Sequence, residues 1–137
     1  MKKTLVMAAA ALAVVGFAST SAMAQDAAAG EKVAKKCLAC HTFEKGGADK
    51  VGPNLYGAVS HKPGETAGSF KFSDGFQAAA AKGFEWTDEN LMAYLEDATA
   101  FLRSVTGDDK ARSKMTFKLK DEQDRKDVIA YLRTLHD

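Results

Sequence analysis

The sequence has few of the residues that would build a disulfide-rich, proline-rich or polyanion-binding protein. Of its 137 residues only 2 are cysteine and 2 are proline, which excludes a disulfide-dense scaffold and a proline-rich linker. Lys and Arg number 19 against 18 Asp and Glu, and this balance lacks the basic excess typical of nucleic-acid binders. We therefore expect a protein that binds no nucleic acid. Because hydrophobic residues make up 46% of the chain, we also expect one folded domain.

The first 24 residues have the pattern of a secretory signal peptide. Two lysines precede an apolar run over 5–17, and Ala-Met-Ala at 22–24 is a small-residue cleavage pattern. The run is short for a bilayer span of about 20 residues, so an uncleaved anchor is the less favoured alternative. We predict a signal peptide over 1–24 and a functional domain over 25–137. The domain is then periplasmic, with no stable membrane insertion after cleavage.

The pattern downstream predicts helices joined by loops, without the alternation typical of strands. Asp26 and Ser73 are expected to cap helices, since their side chains can accept hydrogen bonds from first-turn amides, and Thr87 and Asp121 are expected where helices begin. We predict five helices. The first spans 26–36, the second spans 73–81 and ends at Gly83, and the third begins after Thr87. The fourth spans 98–105 and stops at Gly107, and the fifth begins at Asp121.

The stretch 42–72 is predicted to be loop, because it carries six glycines and both prolines. Side-chain packing alone stabilises so long an ordered loop poorly in a small domain. The sequence therefore favours an all-α domain whose centre is filled by a large apolar cofactor.

Cys37-Leu38-Ala39-Cys40-His41 is the C-x-x-C-H pattern of covalent c-type haem attachment. This spacing lets two thiols reach the two vinyl groups along one porphyrin edge, while the adjacent imidazole ligates the iron. A redox dithiol is a weaker interpretation because no βαβ pattern surrounds the pair. Half a zinc site lacks a second cysteine pair, and a single structural disulfide leaves the histidine unexplained.

The iron of such a haem needs a sixth ligand unless the position is open for chemistry. The candidates are Met92, Met115, His61 and His136. Met92 lies in a predicted helix beside polar positions and is typical of a surface or filler residue. Met115 lies in a polar stretch with no helical face to bury it, far enough from His41 to reach the opposite side of the ring. Met115 is the favoured ligand.

With these motifs the chain resembles the class I c-type cytochromes, and among them the bacterial cytochrome c2 and c550 group. The resemblance covers the whole predicted domain. The matching segments are the helix after Gly30, the motif 37–41, the loop 52–57, residues 84–86 with 91–95, the loop 114–117, the helix 127–132 and an insertion over 101–113.

The resemblance implies the all-α cytochrome c fold, with helices wrapped around one covalently bound haem c and with long ordered loops. It implies a packing contact between Gly30 and Tyr131 where the first and last helices cross. It further implies thioether bonds from Cys37 and Cys40, axial ligation by His41 and Met115, a Pro53 carbonyl bonded to the His41 ring, a Trp86 indole on a haem propionate, and Tyr94 near the Met115 sulfur.

Three positions depart from the family pattern. Ala34 stands where many relatives carry phenylalanine, so that packing contact is weaker or is made by other residues. Phe72 stands where a tyrosine often reaches a propionate, and it has no hydroxyl to donate. His61 stands where arginine is common, so the resemblance implies a titrating imidazole near the propionates.

The implied function is one-electron transport and not catalysis. The resemblance implies a monomeric shuttle between a cytochrome bc1 complex and an oxidase or photosynthetic reaction centre. A haem enzyme or a ligand sensor with an exchangeable sixth position is the alternative, as is a subunit of a fixed complex. Transient electrostatic docking is expected from a basic face around the haem edge, comprising Lys35, Lys36, Lys62, Lys110, Arg112, Lys114, Lys118 and Lys120, with acids such as 121, 122, 124 and 127 elsewhere.

Overall fold

The computed structural model describes residues 25–137, so the predicted signal peptide over 1–24 lies outside the described residues. Five α-helices and one 3-10 turn make up the regular structure of this range, and no strand occurs in it. None of these helices is long and apolar enough to cross a bilayer. The helices are α1 (Ala27–Ala34), α2 (Asp74–Ala81), α3 (Asp88–Glu96), α4 (Ala98–Thr106) and α5 (Glu122–Arg133).

The helix ends follow from side chains that satisfy otherwise unpaired backbone groups. The side chains of Asp26, Ser73, Thr87 and Asp121 each accept a hydrogen bond from a first-turn amide, as predicted for Asp26 and Ser73. At the other end of α4, Gly107 adopts the left-handed conformation with φ 69°, which glycine takes without strain. Most of the predicted helix ends are therefore confirmed.

The single α-helix predicted over 26–36 is wrong at its last two residues. Helix α1 ends at Ala34, and the chain tightens into a 3-10 turn over Lys35–Cys37. The amides of Cys40 and His41 both donate to the Cys37 carbonyl, at 3.1 and 2.9 Å. These bonds curl 37–41 into a compact turn instead of a straight helix end.

Helices α1 and α5 cross in direct backbone contact. A Cβ placed on Gly30 would lie 1.9 Å from the Asp127 carbonyl oxygen and 2.9 Å from the Cβ of Tyr131. The amide of Asp26 also donates to the Asp127 carboxylate at 2.9 Å. The predicted Gly30–Tyr131 crossing is confirmed, and it brings the two ends of the domain together.

Two apolar clusters form the core. The first joins α1, α3 and α5 and consists of Ala34, Val59, Leu91, Leu119, Val128, Ile129 and Leu132. The second lies between α2 and α4 and consists of Phe76, Ala79, Phe101, Leu102 and Ala111. Trp86 packs against both clusters, so the space between them is bounded by this indole.

The segment 42–72 contains no helix or strand, as predicted. Backbone bonds fix its course: the Leu55 amide donates to the Thr42 carbonyl at 2.8 Å, and the Gly57 amide to the Leu135 carbonyl. The middle of the long loop is therefore held both to the residue that follows the motif and to the segment that follows α5.

Candidate functional site

A cavity of about 310 Å³ opens between the two core clusters. Its walls come from widely separated parts of the described chain, including the turn at 37–41, residues 51–76, α3, the segment 113–119 and α5. The cavity is lined mainly by apolar and aromatic side chains with a few polar groups, which is the usual character of a cofactor site. All seven predicted site residues line it, namely Cys37, Cys40, His41, Pro53, Trp86, Tyr94 and Met115.

Cys37 and Cys40 are free thiols on the 3-10 turn and its continuation. Both are partly buried and line the same cavity. Burial raises the pKa of the Cys37 thiol above its ordinary value, and the neighbouring Cys40 adds to that rise. Cys37 is therefore held as a neutral thiol facing an apolar space, without the lowered pKa of a redox dithiol.

His41 is oriented by a backbone carbonyl. Its Nδ1 lies 2.7 Å from the Pro53 oxygen, and since a carbonyl only accepts, Nδ1 carries the proton and donates. Burial lowers the pKa of this imidazole, although the bond to Pro53 opposes the shift. A neutral ring with Nδ1 protonated leaves Nε2 as the free lone pair, which is the form that a metal requires.

Gly52 makes room for that ring. A Cβ at this position would lie 2.4 Å from His41 Cε1 and within 2.9 Å of both ring nitrogens. The Gly52 amide also donates to the Cys40 carbonyl at 2.8 Å. The backbone of the loop thus lies directly against the imidazole ring. The sequence motif indicated that Gly52 lies near His41, but it did not show why this position must be glycine.

Of the four sulfur and imidazole candidates for a second ligand, Met115 is the one that lines the cavity. Met92 packs against the first core cluster, which agrees with its interpretation as a filler residue and not as a surface position. His136 and His61 line a second cavity near the C-terminus. The geometry therefore pairs Met115 with His41 in one chamber.

His61 does not line this chamber, although Thr66 lines both the chamber and the cavity beside His61, and its place near the propionates stays a prediction. Its ring turns to the Gly57 carbonyl, with Nδ1 at 2.8 Å from the oxygen. Phe72, another departure, stacks on Phe76 with ring centroids 4.0 Å apart and an interplanar angle of 13°. An aromatic pair thus forms the wall where relatives often carry a hydroxyl.

Tyr94 and Trp86 are in edge contact, with ring centroids 5.0 Å apart. The Tyr94 hydroxyl lies 3.4 Å from Ser113 Oγ, and its expected hydrogen bond to the Met115 sulfur is absent from the described residues. Burial in the apolar wall raises the pKa of Tyr94, and the hydrogen bond to Ser113 opposes this rise. Tyr94 therefore contacts the loop that carries Met115 through Ser113.

Sequence reasoning missed several residues that position this site. Gly75, inside α2, lies against the backbone of Arg112, where a Cβ would be 2.6 Å from the amide nitrogen. Arg125 is buried and donates to the Leu119 and Lys120 carbonyls, both at 2.8 Å. A glycine within a predicted helix was the available clue for Gly75. The contact of Arg125 depends on tertiary placement and has no local sequence pattern.

Two lysines of the predicted basic face, Lys36 and Lys114, line the cavity. Lys36 pairs with Asp124 at 2.9 Å, and Lys118 pairs with Asp97 at 2.6 Å. The expectation that acids lie wholly elsewhere is therefore wrong, since these two carboxylates partly neutralise the face.

The residues present fit a covalently held haem. Two thiols, an oriented imidazole and a thioether line one apolar chamber, and Gly52 leaves space for the imidazole where any side chain would displace it. Among the described residues no cluster of three or more His, Cys, Asp or Glu could hold a metal ion by itself.

Comparison with known proteins gives the family. A family model described as Cytochrome c matches residues 27–136. A cytochrome c2 of Rhodospirillum rubrum is 52% identical over 130 residues, covering 94% of this chain and 96% of that protein. A cytochrome c-550 of Novispirillum itersonii is 56% identical over 110 residues, covering 80% of this chain and 98% of that protein. The chain belongs to the cytochrome c family.

Solved structures agree with this assignment. A cytochrome c2 of Rhodospirillum centenum superposes with a TM-score of 0.75 at 44% identity, covering 82% of this chain and 99% of the other. A cytochrome c2 of Paracoccus denitrificans gives a TM-score of 0.72 at 39% identity, with coverages of 81% and 96%. The fold is the all-α cytochrome c fold, and the protein is an electron-transport cytochrome of the class that carries one covalently attached haem c.

Proposed function

We propose that this protein is a periplasmic one-electron carrier with a His41/Met115-ligated haem c, attached through Cys37 and Cys40. The observation that carries the proposal is the shared cavity, where one imidazole and one thioether are the only candidate axial ligands among the described histidines and methionines. The haem, when bound, supplies an Fe(III)/Fe(II) couple whose reduced state is favoured by thioether ligation. Occupation of both axial positions by protein side chains disfavours the enzyme and sensor alternatives.

The side chains of this cavity have separate roles in the proposal. Pro53 holds the His41 ring in one orientation and raises its basicity as a ligand. Trp86 lies between the two core clusters with an indole N–H available for a haem propionate. Tyr94 closes the distal wall and contacts the ligand loop at Ser113. A rigid, largely dry chamber limits the reorganisation that each electron transfer requires.

Partner contact is proposed at the rim of the cavity. Within residues 25–137 three large apolar side chains are exposed, Leu38 at 48%, Val51 at 71% and Phe117 at 44% of their full accessible surface. Val51 and Phe117 line the cavity mouth, together with Lys36 and Lys114. An apolar centre with basic neighbours suits brief docking to acidic surfaces, here a cytochrome bc1 complex as donor and an oxidase or photosynthetic reaction centre as acceptor.

Absorption spectra of the protein from the periplasmic fraction, oxidised and reduced, test the ligand set. We expect low-spin spectra with the long-wavelength band of methionine-ligated ferric haem and no rapid binding of carbon monoxide by the reduced form. Met115→Ala should keep the covalent haem, lose that band, lower the reduction potential and admit added ligands. Met92→Ala is the matched control and should keep the native spectrum. A native spectrum in Met115→Ala would overturn the assignment.

A further inference from the structure

Helix α4 is hydrogen-bonded to the loop that carries Met115. Thr99 lies in the first turn of α4, and its Oγ1 accepts a hydrogen bond from the Ser113 amide at 3.1 Å. The Ser113 hydroxyl in turn accepts the Met115 amide at 3.0 Å. Two short bonds therefore connect a helical side chain to the backbone of the proposed iron ligand.

The segment just before Ser113 is fixed to the same helix. Arg103 Nε donates to the Ala111 carbonyl at 3.1 Å, and Ala111 is buried in the second core cluster. Helix α2 presses on the same backbone, because Gly75 lies against Arg112 without a side chain between them. The loop thus enters the cavity from a rigid base, and Thr99 holds the Ser113 backbone two residues before the ligand.

We infer that Thr99 is a positioning residue for Met115. Thr99 acts through Ser113 and so holds the Met115 thioether at the iron against competing ligands. The inference rests on the proposed function, since it assumes that Met115 is the ligand. Thr99 contributes no atom to the cavity lining, so its effect on the iron can pass only through the loop. Loss of its hydroxyl leaves the Ser113 amide without its acceptor and makes release of Met115 easier.

The test is imidazole binding to the ferric holoprotein, because imidazole reaches the iron only when Met115 has left. Apparent affinity then scales with the population of the Met-released state. Removing one neutral hydrogen bond should raise that population about fivefold, so Thr99→Val should bind imidazole about fivefold more tightly. Thr99→Ser, which restores the hydroxyl, should return the affinity to the wild-type value.

Thr106→Val is the matched control on the same helix. Its hydroxyl bonds to the Leu102 carbonyl at 2.8 Å and accepts the Asp108 amide at 3.2 Å, without touching the ligand loop. This variant should lower the denaturant midpoint of global unfolding while leaving imidazole affinity unchanged. Equal affinity gains in both valine variants, or no gain in Thr99→Val, would overturn the inference.

Met115→Ala distinguishes failure of the inference from failure of the proposed function. If Met115→Ala binds imidazole strongly and Thr99→Val behaves as wild type, Met115 is the ligand and the role of Thr99 is wrong. If Met115→Ala binds imidazole no better than wild type, the ligand assignment itself is wrong, and the inference falls with it.

Discussion

Arg133 of α5 is joined to Trp86 by a hydrogen bond of 2.7 Å from its guanidinium Nη2 to the Trp86 carbonyl. The same guanidinium donates to the Val59 carbonyl at 3.0 Å and to the Asp88 carboxylate at 2.8 and 3.1 Å. Val59 and Trp86 both line the cavity. One side chain at the end of the last helix therefore fastens two separate wall segments.

Arg133→Lys should destabilise the holoprotein, because a lysine ammonium cannot reproduce the planar guanidinium that donates hydrogen bonds to three different residues. We expect a loss of about 1–2 kcal/mol in the free energy of unfolding, since the side chain is partly exposed to solvent. Denaturant unfolding followed by haem absorption measures it. Lys126→Gln, which removes the single-turn pair with Glu122, is the control and should cost about 0.5 kcal/mol or less. Equal losses in the two variants would contradict this role.

Gly52→Ala should disturb the proximal side of the site. The added methyl group would overlap His41 Cε1, so the ring must tilt away from the Pro53 carbonyl or the loop must move. We expect overpacking to cost about 1–3 kcal/mol of stability and the yield of holoprotein to fall. The exposed neighbour provides the control, since Val51→Ala removes atoms without touching the imidazole. Wild-type yield and stability in Gly52→Ala would refute the steric argument.

The stability of the protein in acid should depend in part on Asp97. Its hydrogen-bonded pair with Lys118, together with the Ala100 amide, holds the pKa of this carboxyl below its ordinary value. A lowered pKa means that the stabilisation is present above the ordinary value of about 3.9 and is lost as pH falls through the folded-state pKa. Asp97→Asn retains a capping oxygen but cannot pair with Lys118.

The measurement is the unfolding midpoint of wild type and Asp97→Asn across the acid range from about pH 2 to 5. The two curves should converge at the acid end and separate as pH rises. Asp109→Asn, at an exposed carboxylate beyond α4, serves as the control for removal of one charge. A constant offset between the curves at every pH would argue against the ion pair.

Electron transfer to an acidic redox partner should slow as ionic strength rises, because salt screens the attraction that speeds encounter. The decrease should reach on the order of tenfold if steering dominates. Lys114→Gln, at the cavity rim, should slow transfer at low salt and flatten the salt dependence. Lys82→Gln, on an exposed residue outside the cavity lining, is the matched control.

Lys114 also donates to the Lys71 carbonyl, so a structural effect must be separated from an electrostatic one. At high salt, where charges are screened, the rates of wild type and Lys114→Gln should coincide. A rate difference that persists at high salt would show that the substitution disturbs the loop instead of the encounter. A wild-type rate that is flat or rising with salt would contradict steering altogether.

The sequence predicted those features that depend on neighbouring residues. Some features depend only on residues a few positions apart, so the sequence alone identifies them. They include the helix starts at Ser73 and Thr87, the stop at Gly107 and the haem-attachment motif. The location of Gly52 in a motif was visible, but the reason for a glycine required the position of the His41 ring.

Two side-chain contacts near the site were not predicted from the sequence. The His61 imidazole bonds to the nearby Gly57 carbonyl. The Tyr94 hydroxyl lies within reach of Ser113, two residues before Met115. Contacts across distant segments depend on side-chain length and competing partners, which no local pattern encodes.

The crossing of α1 and α5 at Gly30 governs the order in which the molecule can be assembled. The attachment turn follows α1 directly, whereas Val128 and Leu132 of α5 supply one wall of the cavity. A chain that has emerged only as far as residue 121 holds both thiols and His41 but lacks that wall. Bringing its two ends together requires closing a loop that spans most of the domain, at a substantial entropic cost. A group bonded early to the turn would give the last helix an apolar surface on which to settle, so attachment favours closure.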